Sequence, residues 1–294
     1  MCYIRRYIQF LCYIGGLYSA VLFKAQMSSF NLQRFMFYKG RNIYGLYVRG
    51  ISRPGVLRDM LSVFAERGIN VLYFSTTVAE RGKVGTAICF FDLTDVSIPL
   101  DRLLYEIRRV RGVKMAVIIP PKFEGFIADT ISFPLMLGDV RGLLIDESAL
   151  KGLLRDIRMR MGSGAEAMLY HFGFEAGLEW AEYIIREAER IGAREKLEKI
   201  SIAADVFRAL GYGVIEEIKA FSEEPPYMEV KVSGNIECAL GAETGERRPY
   251  SHFIRGTLAG FASKLFGRKM FAEETRCIVR GDPHCEFIIK ERRT

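Results

Sequence analysis

Histidine and tryptophan are scarce in this chain, with three histidines and one tryptophan among 294 residues. The histidines are scattered along the sequence, which disfavours a histidine-based acid–base pair, the commonest means of moving protons near neutral pH. The sequence also lacks the G-x-G-x-x-G loop, the Walker A loop and the G-x-S-x-G elbow. These absences weigh against the enzyme classes that use such loops.

Cysteine is also sparse. Six cysteines are spread along the chain, and their spacing does not form the dense pattern of a disulfide framework. The sequence therefore predicts a reduced, cytoplasmic protein without a disulfide framework. The positions are Cys2, Cys12, Cys89, Cys238, Cys277 and Cys285.

Acidic residues are absent from residues 1–42, which contain six lysines and arginines. The whole chain has a formal net charge of +7, so the remainder carries only +1. Such a remainder is not a basic domain, and no nucleic-acid-binding motif is present. The sequence predicts no direct contact with nucleic acid.

Residues 1–40 are predicted to be an apolar and basic extension. Residues 7–23 are 17 uncharged, mostly apolar residues that follow Arg5 and Arg6. This length is just short of a comfortable membrane span, and no cleavage site typical of a signal peptide follows. Two interpretations stay open: a membrane anchor, or a natural start at Met27 instead of Met1.

Residues 41–121 alternate between strand and helix patterns. Strand patterns cover 42–51, 69–80, 84–93 and 113–121, and helical patterns cover 52–68 and 99–109. The order βαββαβ is that of a ferredoxin-like sandwich, with two helices on one antiparallel sheet. The predicted fold class is α+β.

Around its first helix the chain resembles the ACT domain, a regulatory module that binds amino acids. The resemblance spans residues 42–119 and is carried by R-P-G-V-L at 53–57, by the turn at 65–71 and by the βαββαβ order. The family usually has aspartate where this chain has Ser52. The resemblance implies an amino acid held between paired copies, and hence a homodimer. The ligand-binding residues that the resemblance implies are Ser52, Arg53, Pro54, Gly55, Val56, Leu57 and Asn70.

The same turn suits a carboxylate on physical grounds. Gly55 precedes a helix, so exposed backbone N–H groups can approach an anion that the helix dipole favours. Arg53 adds positive charge, and the Ser52 hydroxyl is predicted to cap the helix. Asn70 is expected near the same edge. The alternative stays open that this is only a turn in a module that serves dimerisation.

Residues 122–163, rich in glycine, proline and aspartate, are predicted to be a linker or hinge with one helix. The segments are longer in residues 164–294, where three helices and four strand-like runs are expected. Gly173, Ala176 and Gly177 are small residues on the first helix. Gly256 and Gly260, four residues apart on the last helix, allow another backbone to approach closely.

The segment EETRCIVRGDPHCEF at 273–287 surrounds an R-G-D-P turn with Glu274, Cys277 and Cys285. Together with GSGAEAMLYHFGFEAG and HFIRGTLAGFASKLFGRK, it makes residues 164–290 resemble the 4-vinyl reductase domain, a small-molecule-binding family. The resemblance implies a mixed α/β domain with an antiparallel sheet. In aromatic-sensing relatives a glutamate and three cysteines hold a structural zinc. Here Glu274, Cys277 and Cys285 match, and Ser251 occupies the position expected for the fourth ligand.

Serine is a poor zinc ligand, because its hydroxyl resists deprotonation and donates more weakly than a thiolate. His252 and His284 are adjacent to the motif but are expected to point away from it. Three states of the motif stay open: a zinc site, a disulfide between Cys277 and Cys285, or two reduced cysteines in the core.

Aromatic side chains on the helices of residues 164–294 suit the wall of a cavity for a small hydrophobic or aromatic ligand. For His171 and Trp180, ordinary packing is the alternative. The predicted lining is Tyr170, His171, Trp180, Phe207, Phe253 and Phe261.

These features predict a regulatory protein that binds an amino acid and a small hydrophobic or aromatic molecule, and that responds by a change of shape. No output domain is visible, so a partner protein would carry the response. The chain is not expected to be an enzyme. The alternatives are an enzyme of the 4-vinyl reductase type, an accessory factor in tetrapyrrole or aromatic metabolism, a membrane-anchored sensor, and a transcription co-regulator.

Overall fold

The chain divides into two units, residues 1–142 and residues 143–294. The computed structural model describes residues 29–77 and 80–291. The apolar segment 7–23 and both candidate start positions lie outside the described residues. Among the helices of the described ranges, none combines the length and the hydropathy that a membrane span requires.

The first unit contains a four-stranded antiparallel sheet in the order β3-β4-β2-β5, with two helices. The predicted ferredoxin-like βαββαβ order from β2 to β5 is confirmed. Three short elements follow the last strand. The bounds are β1 Phe35–Phe37, β2 Ile43–Ile51, α1 Val56–Ala65, β3 Asn70–Thr76, β4 Val84–Asp92, α2 Leu100–Arg109, β5 Val113–Ile119, β6 Phe126–Ala128, β7 Met136–Leu137 and β8 Val140–Arg141.

The two faces of this sheet are covered differently. On one face, Val56, Met60 and Phe64 form the buried stripe of α1 at the spacing of helix turns. Met60 and Phe64 lie, with residues of α2, over a sheet surface that includes Phe91. On the other face, the β1–β6 ribbon contributes Ile127 to a smaller core. The ribbon joins part of the predicted N-terminal extension to part of the predicted linker.

The second unit contains a four-stranded antiparallel sheet in the order β11-β12-β10-β9. The predicted mixed α/β fold with an antiparallel sheet is confirmed. The bounds are α3 Glu147–Leu150, a π-helix Lys151–Asp156, α4 Ile157–Met161, α5 Ser163–Arg190, α6 Lys196–Ala209, β9 Val214–Glu223, β10 Pro226–Ser233, α7 Ile236–Ala242, α8 His252–Phe266, β11 Met270–Arg276, a 3₁₀ helix Ile278–Arg280 and β12 Cys285–Glu291.

The residues predicted as a linker, 122–163, are divided between the two units. Residues 126–128 form β6 in the first unit. In the second unit, Leu154 of the π-helix is buried against Leu169 of α5 and Leu240 of α7. Ile127 and Leu154 are buried and attach these parts of the segment to the two units, whereas most of the other large apolar side chains of residues 122–163 are exposed.

Helices α5 and α8 pack with their backbones in contact. A Cβ atom added at Gly173 or Gly177 of α5 would lie 2.0 or 2.2 Å from a carbonyl oxygen of α8. The reverse holds for Gly256 and Gly260 of α8, where the distances to carbonyl oxygens of α5 are 2.1 and 2.0 Å. Side chains have no room at these positions, since real Cβ atoms stay about 3 Å or more from other heavy atoms. The close approach expected at Gly256 and Gly260 is present.

Candidate metal and ligand sites

Four side chains meet at one point inside the second unit. The Sγ atoms of Cys238, Cys277 and Cys285 and a carboxylate oxygen of Glu274 all lie within 4.8 Å of one another. The three cysteines are fully buried, and Glu274 is 5% exposed. The structure thus brings together the three predicted residues and adds Cys238, which the sequence analysis did not include. All four cysteines of the described ranges, including Cys277 and Cys285, are free thiols.

Cys238 lies on the short helix α7, which sequence analysis missed. Asn235 caps this helix, because its side-chain oxygen accepts hydrogen bonds from the backbone N–H groups of Glu237 and Cys238. The cap places Cys238 in the first turn of the helix, where its side chain reaches the cluster. The sequence signal for this helix was Asn235, a residue type that often caps helices, which follows Gly234 and precedes I-E-C-A-L.

Cys238, and not Ser251, completes the set of four potential ligands. The Ser251 Oγ lies 2.9 Å from the Cys238 Sγ and accepts a hydrogen bond of 2.6 Å from Asn235 Nδ2. Ser251 therefore lies beside the cluster at the start of α8, where its hydroxyl is within hydrogen-bonding distance of the Cys238 thiol. The prediction of Ser251 at the fourth-ligand position is corrected. The fourth potential ligand is the Cys238 thiol of α7, which lies outside the motif and could not be identified from the spacing of the motif.

The Glu274 carboxylate is oriented by the backbone. Its Oε2 accepts hydrogen bonds of 2.9 Å from the N–H groups of Tyr250 and Ser251. Its Oε1 faces the cluster, 3.5 Å from the Cys238 Sγ. Burial, with the neighbouring Cys277, raises the pKa of Glu274 to about 7. One oxygen of this carboxylate is fixed by the protein and the other is directed toward the thiols.

The hairpin between β11 and β12 is fixed by its own turn. Asp282 accepts a hydrogen bond of 2.9 Å from the Cys277 backbone N–H and another of 2.9 Å from Arg280. Gly281 has a φ of 105°, a conformation that favours glycine. These contacts hold Cys277 and Cys285 on facing segments, so the two thiols are positioned by the R-G-D-P turn.

The four side chains fit zinc by chemistry and by spacing. Thiolate sulfur and carboxylate oxygen are both established zinc ligands, and structural zinc sites take four of them in a tetrahedron. Zn–S bonds of about 2.3 Å imply sulfur–sulfur distances of about 3.8 Å, and the Cys238 and Cys277 Sγ atoms are 3.4 Å apart. Buried charges of one sign require a partner or a metal. The cluster is therefore suited to a four-coordinate ion.

A buried ion pair anchors α7 to the start of α8. Glu237 accepts hydrogen bonds from the backbone N–H groups of His252, Phe253 and Ile254, with distances of 2.9 to 3.0 Å. Arg158 donates to Glu237, and its guanidinium lies 4.1 Å from the centroid of the Tyr250 ring. Glu237 takes the place of a helix cap for α8, next to the cluster residue Cys238.

Only part of the predicted ligand pocket is open. Trp180 packs against Phe207 and Phe261, with ring centroids 6.5 and 5.6 Å away, and both phenylalanines are buried. Phe253 packs against Tyr212, with centroids 6.4 Å apart. The prediction that these four aromatic residues line a pocket is corrected. Their rings pack against other aromatic rings, and this contact buries their apolar surface in the core.

Tyr170 and His171 line an open cleft instead. The cleft has a volume of about 800 Å³. It lies between α5 and the end of the sheet at which β10 and β11 begin and β12 ends. Its walls are largely apolar, as ligand sites generally are. The other lining residues are Phe174, Glu175, Pro225, Pro226, Tyr227, Lys269, Met270, Phe271, Lys290 and Glu291.

In the first unit, the predicted turn lies at the start of α1. Gly55 is its cap residue, with a φ of 93°, so the expected capping by Ser52 is corrected: the helix begins too far along the chain for that hydroxyl. Arg53 donates a hydrogen bond to the Arg111 carbonyl and fixes the turn against the loop before β5. Val56 is buried in the core, whereas Leu57 is exposed.

Asn70 lies at the opposite end of the sheet from this turn, which corrects the expectation that the two share an edge. Asn70 is paired across the sheet with Asp92, and Asp92 is paired with Ile43 at the start of β2. Ile51 ends β2 eight residues after Ile43, or about 26 Å away, and Ser52 follows it. Helix α1 runs back along the sheet, so the strand after it begins at the far end.

Two family models match the chain. Residues 44–103 match the ACT domain, and residues 228–291 match the 4-vinyl reductase domain. The chain combines an ACT domain with a 4-vinyl reductase domain. The match to the second family contains all four residues of the cysteine and glutamate cluster, and the ACT domain match contains the turn at Arg53 and Gly55. This combination fits a ligand-binding regulatory role.

Curated proteins similar to this chain include two uncharacterized proteins of Methanocaldococcus jannaschii. One is 29% identical over 154 residues, which are 52% of this chain and 78% of that protein. The other is 28% identical over 130 residues, which are 44% of this chain and 68% of that protein.

Similar solved structures include the phenol-responsive sensory domain of the transcription activator PoxR with phenol, with a TM-score of 0.47, 19% identity and coverage of 53% of this chain and 79% of that one. A vinyl-4-reductase family protein from Methanocaldococcus jannaschii has a TM-score of 0.34, 19% identity and coverage of 52% and 85%. The ACT domain of a GTP pyrophosphokinase from Chlorobium tepidum has a TM-score of 0.23, 16% identity and coverage of 27% and 99%.

Proposed function

We propose that this protein is a non-catalytic regulatory protein whose two domains bind different small molecules. The ACT domain binds an amino acid at the turn containing Arg53 and Gly55, within a homodimer. The 4-vinyl reductase domain binds a small hydrophobic or aromatic molecule. The observation that carries the proposal is the open cleft of about 800 Å³ beside α5, with Tyr170 and Phe271 among its apolar walls.

A zinc ion is part of the proposal. Cys238, Glu274, Cys277 and Cys285 would hold it, and its role would be structural because all four potential ligands belong to the protein. The ion would join α7 to the hairpin of β11 and β12. Both elements hold the start of α8, through Glu237 and Glu274. Helix α8 packs against α5, and α5 lines the cleft, so a fixed α8 would keep that wall of the cleft in place.

The regulatory output would arise from linkage. A ligand can shift a conformational equilibrium only by its difference in affinity for the two states, and two ligands that favour the same state raise each other's affinity reciprocally. A change of state in either domain would then be recognised by a partner protein. The expected coupling lies in the usual range of about 1 to 3 kcal/mol.

A thermal-denaturation screen tests the proposed function. The full chain, with its zinc content measured, is heated in the presence of amino acids, phenols and tetrapyrrole precursors. A ligand at 100 times its Kd stabilises the folded state that binds it by about 2.7 kcal/mol, which is readily seen as a raised midpoint. We expect one amino acid and one hydrophobic or aromatic compound to give separate shifts. A screen without any shift would contradict the proposal.

The Arg53→Ala variant tests the amino-acid site. We expect it to abolish the shift caused by the amino acid, because it removes the positive charge at the turn and the bond that fixes the turn to Arg111. Arg102→Ala is the matched control: Arg102 is exposed on α2 and pairs with Glu106 four residues further on. The assignment fails if the two variants respond to the amino acid alike.

A further inference from the structure

A second, smaller pocket, here called the Arg255 pocket, adjoins the cleft of the 4-vinyl reductase domain, and half of its lining residues are acidic or basic. It has a volume of about 290 Å³ and lies at the first turn of α8, where His252 and Arg255 are found. Tyr170, His171 and Phe271 line both spaces. The cleft and the Arg255 pocket therefore share a wall, and a ligand of moderate length could occupy both.

One nitrogen of the Arg255 guanidinium lacks an acceptor among the described residues. This nitrogen, the Nε atom, is buried. The guanidinium lies over the Tyr170 ring, 5.2 Å from the centroid, where a cation is attracted by the ring but gains no acceptor. A buried donor without an acceptor costs free energy, and a bound anion would recover that cost.

The nearby protein groups that could satisfy Arg255 already have partners. Glu166, which lines the pocket, pairs with Arg248, and this contact lowers the pKa of Glu166. Glu237 is taken up by Arg158 and by the first backbone N–H groups of α8. His252 is 3.6 Å from Glu166. Within the ranges 29–77 and 80–291, these groups leave no free acceptor for the Arg255 Nε, so a bound ligand is a suitable source of one.

The Arg255 guanidinium in one pocket and the apolar residues of the adjoining cleft together favour one class of ligand. The guanidinium group binds carboxylates through paired hydrogen bonds. The adjoining cleft offers apolar contacts from Phe174, Pro226 and Met270. We propose that the Arg255 pocket binds the carboxylate of an amphipathic organic acid, whose apolar part lies in the cleft and whose charge pairs with the Arg255 guanidinium. This inference rests on the proposed function of the 4-vinyl reductase domain and adds the charge of its ligand.

Matched acids and amides test this inference. Isothermal titration of the full chain uses phenylacetate, 3-phenylpropanoate and 4-phenylbutanoate, each compared with its uncharged amide. We expect at least one acid to bind about tenfold or more tightly than its amide, since a charge-assisted pair is lost in the amide. Arg255→Met should remove this difference, and Arg255→Lys should retain part of it because lysine keeps the charge without the paired donors.

Lys264→Met is the matched control. It removes one positive charge from the same helix, but Lys264 pairs with Glu182 and lines neither space, so the preference for the acid should persist. Zinc content and the unfolding midpoint of Arg255→Met should match the unaltered protein. The inference is overturned if acids and amides bind equally, if Arg255→Met leaves acid binding unchanged, or if no acid binds. Binding of amides alone would leave the proposed function standing.

Discussion

Replacing Gly173 by alanine is expected to destabilise the 4-vinyl reductase domain by about 3 kcal/mol, near the upper end of the usual cost of overpacking. The new Cβ would lie 2.0 Å from the carbonyl oxygen of Phe253, so helices α5 and α8 would have to separate. The higher helix propensity of alanine, worth about 1 kcal/mol, offsets only part of this cost. Gly256→Ala should act in the same way from the other helix.

Gly164→Ala is the control on the same helix. A Cβ at Gly164 would meet no atom within 4 Å, so the substitution should be neutral or stabilising by up to about 1 kcal/mol. Urea unfolding followed by tryptophan fluorescence measures the 4-vinyl reductase domain, because Trp180 on α5 is the sole tryptophan. Equal unfolding midpoints for Gly173→Ala and Gly164→Ala would contradict the backbone contact between α5 and α8.

Replacing Cys238 by serine is expected to lower zinc affinity by about 100-fold or more, because one of four ligands is lost from a site whose binding energy is large. Adding Ser251→Cys to this variant should restore most of the affinity. The Ser251 Oγ lies 2.9 Å from the Cys238 Sγ, so the new thiol enters nearly the same space. Elemental analysis and competition with a chromogenic chelator measure both effects.

Two further variants complete this test. Cys89→Ser removes a buried thiol of the ACT domain, where burial raises the pKa of Cys89 to about 12, and it should leave the zinc content unchanged. Ser251→Cys alone should add little affinity, because Cys238 already completes the four ligands. An unchanged zinc affinity in Cys238→Ser, measured by competition with the chelator, would show that the other three residues suffice and would refute the four-ligand site.

Local patterns in the sequence predicted most of the fold. The helical stripe of Val56, Met60 and Phe64 depends on contacts within one helix and its sheet, and periodicity is sufficient to detect it. The spacing of Gly256 and Gly260 predicted a close helix contact without naming the partner. The motif from Glu274 to Cys285 lies within one hairpin, so its three residues can be grouped by their spacing along the chain.

Features that depend on contacts between distant segments were missed. Cys238 lies 36 residues before Glu274, on a helix of seven residues that periodicity cannot detect. Asn70 was placed near the wrong end of the sheet, because composition does not show the direction in which α1 returns. Trp180, Phe207 and Phe261 were expected around a cavity, and aromatic composition alone cannot distinguish a lined cavity from a filled core.

Recovery of the ligands after incubation tests the central claim that this protein binds small molecules at its two domains without transforming them. The full chain is incubated with the amino acid and the aromatic compound that raise its unfolding midpoint, and both are quantified over time by chromatography. The account predicts saturable binding, with each ligand recovered unchanged. Consumption of either compound with formation of a product, at a rate that follows protein concentration, would contradict it.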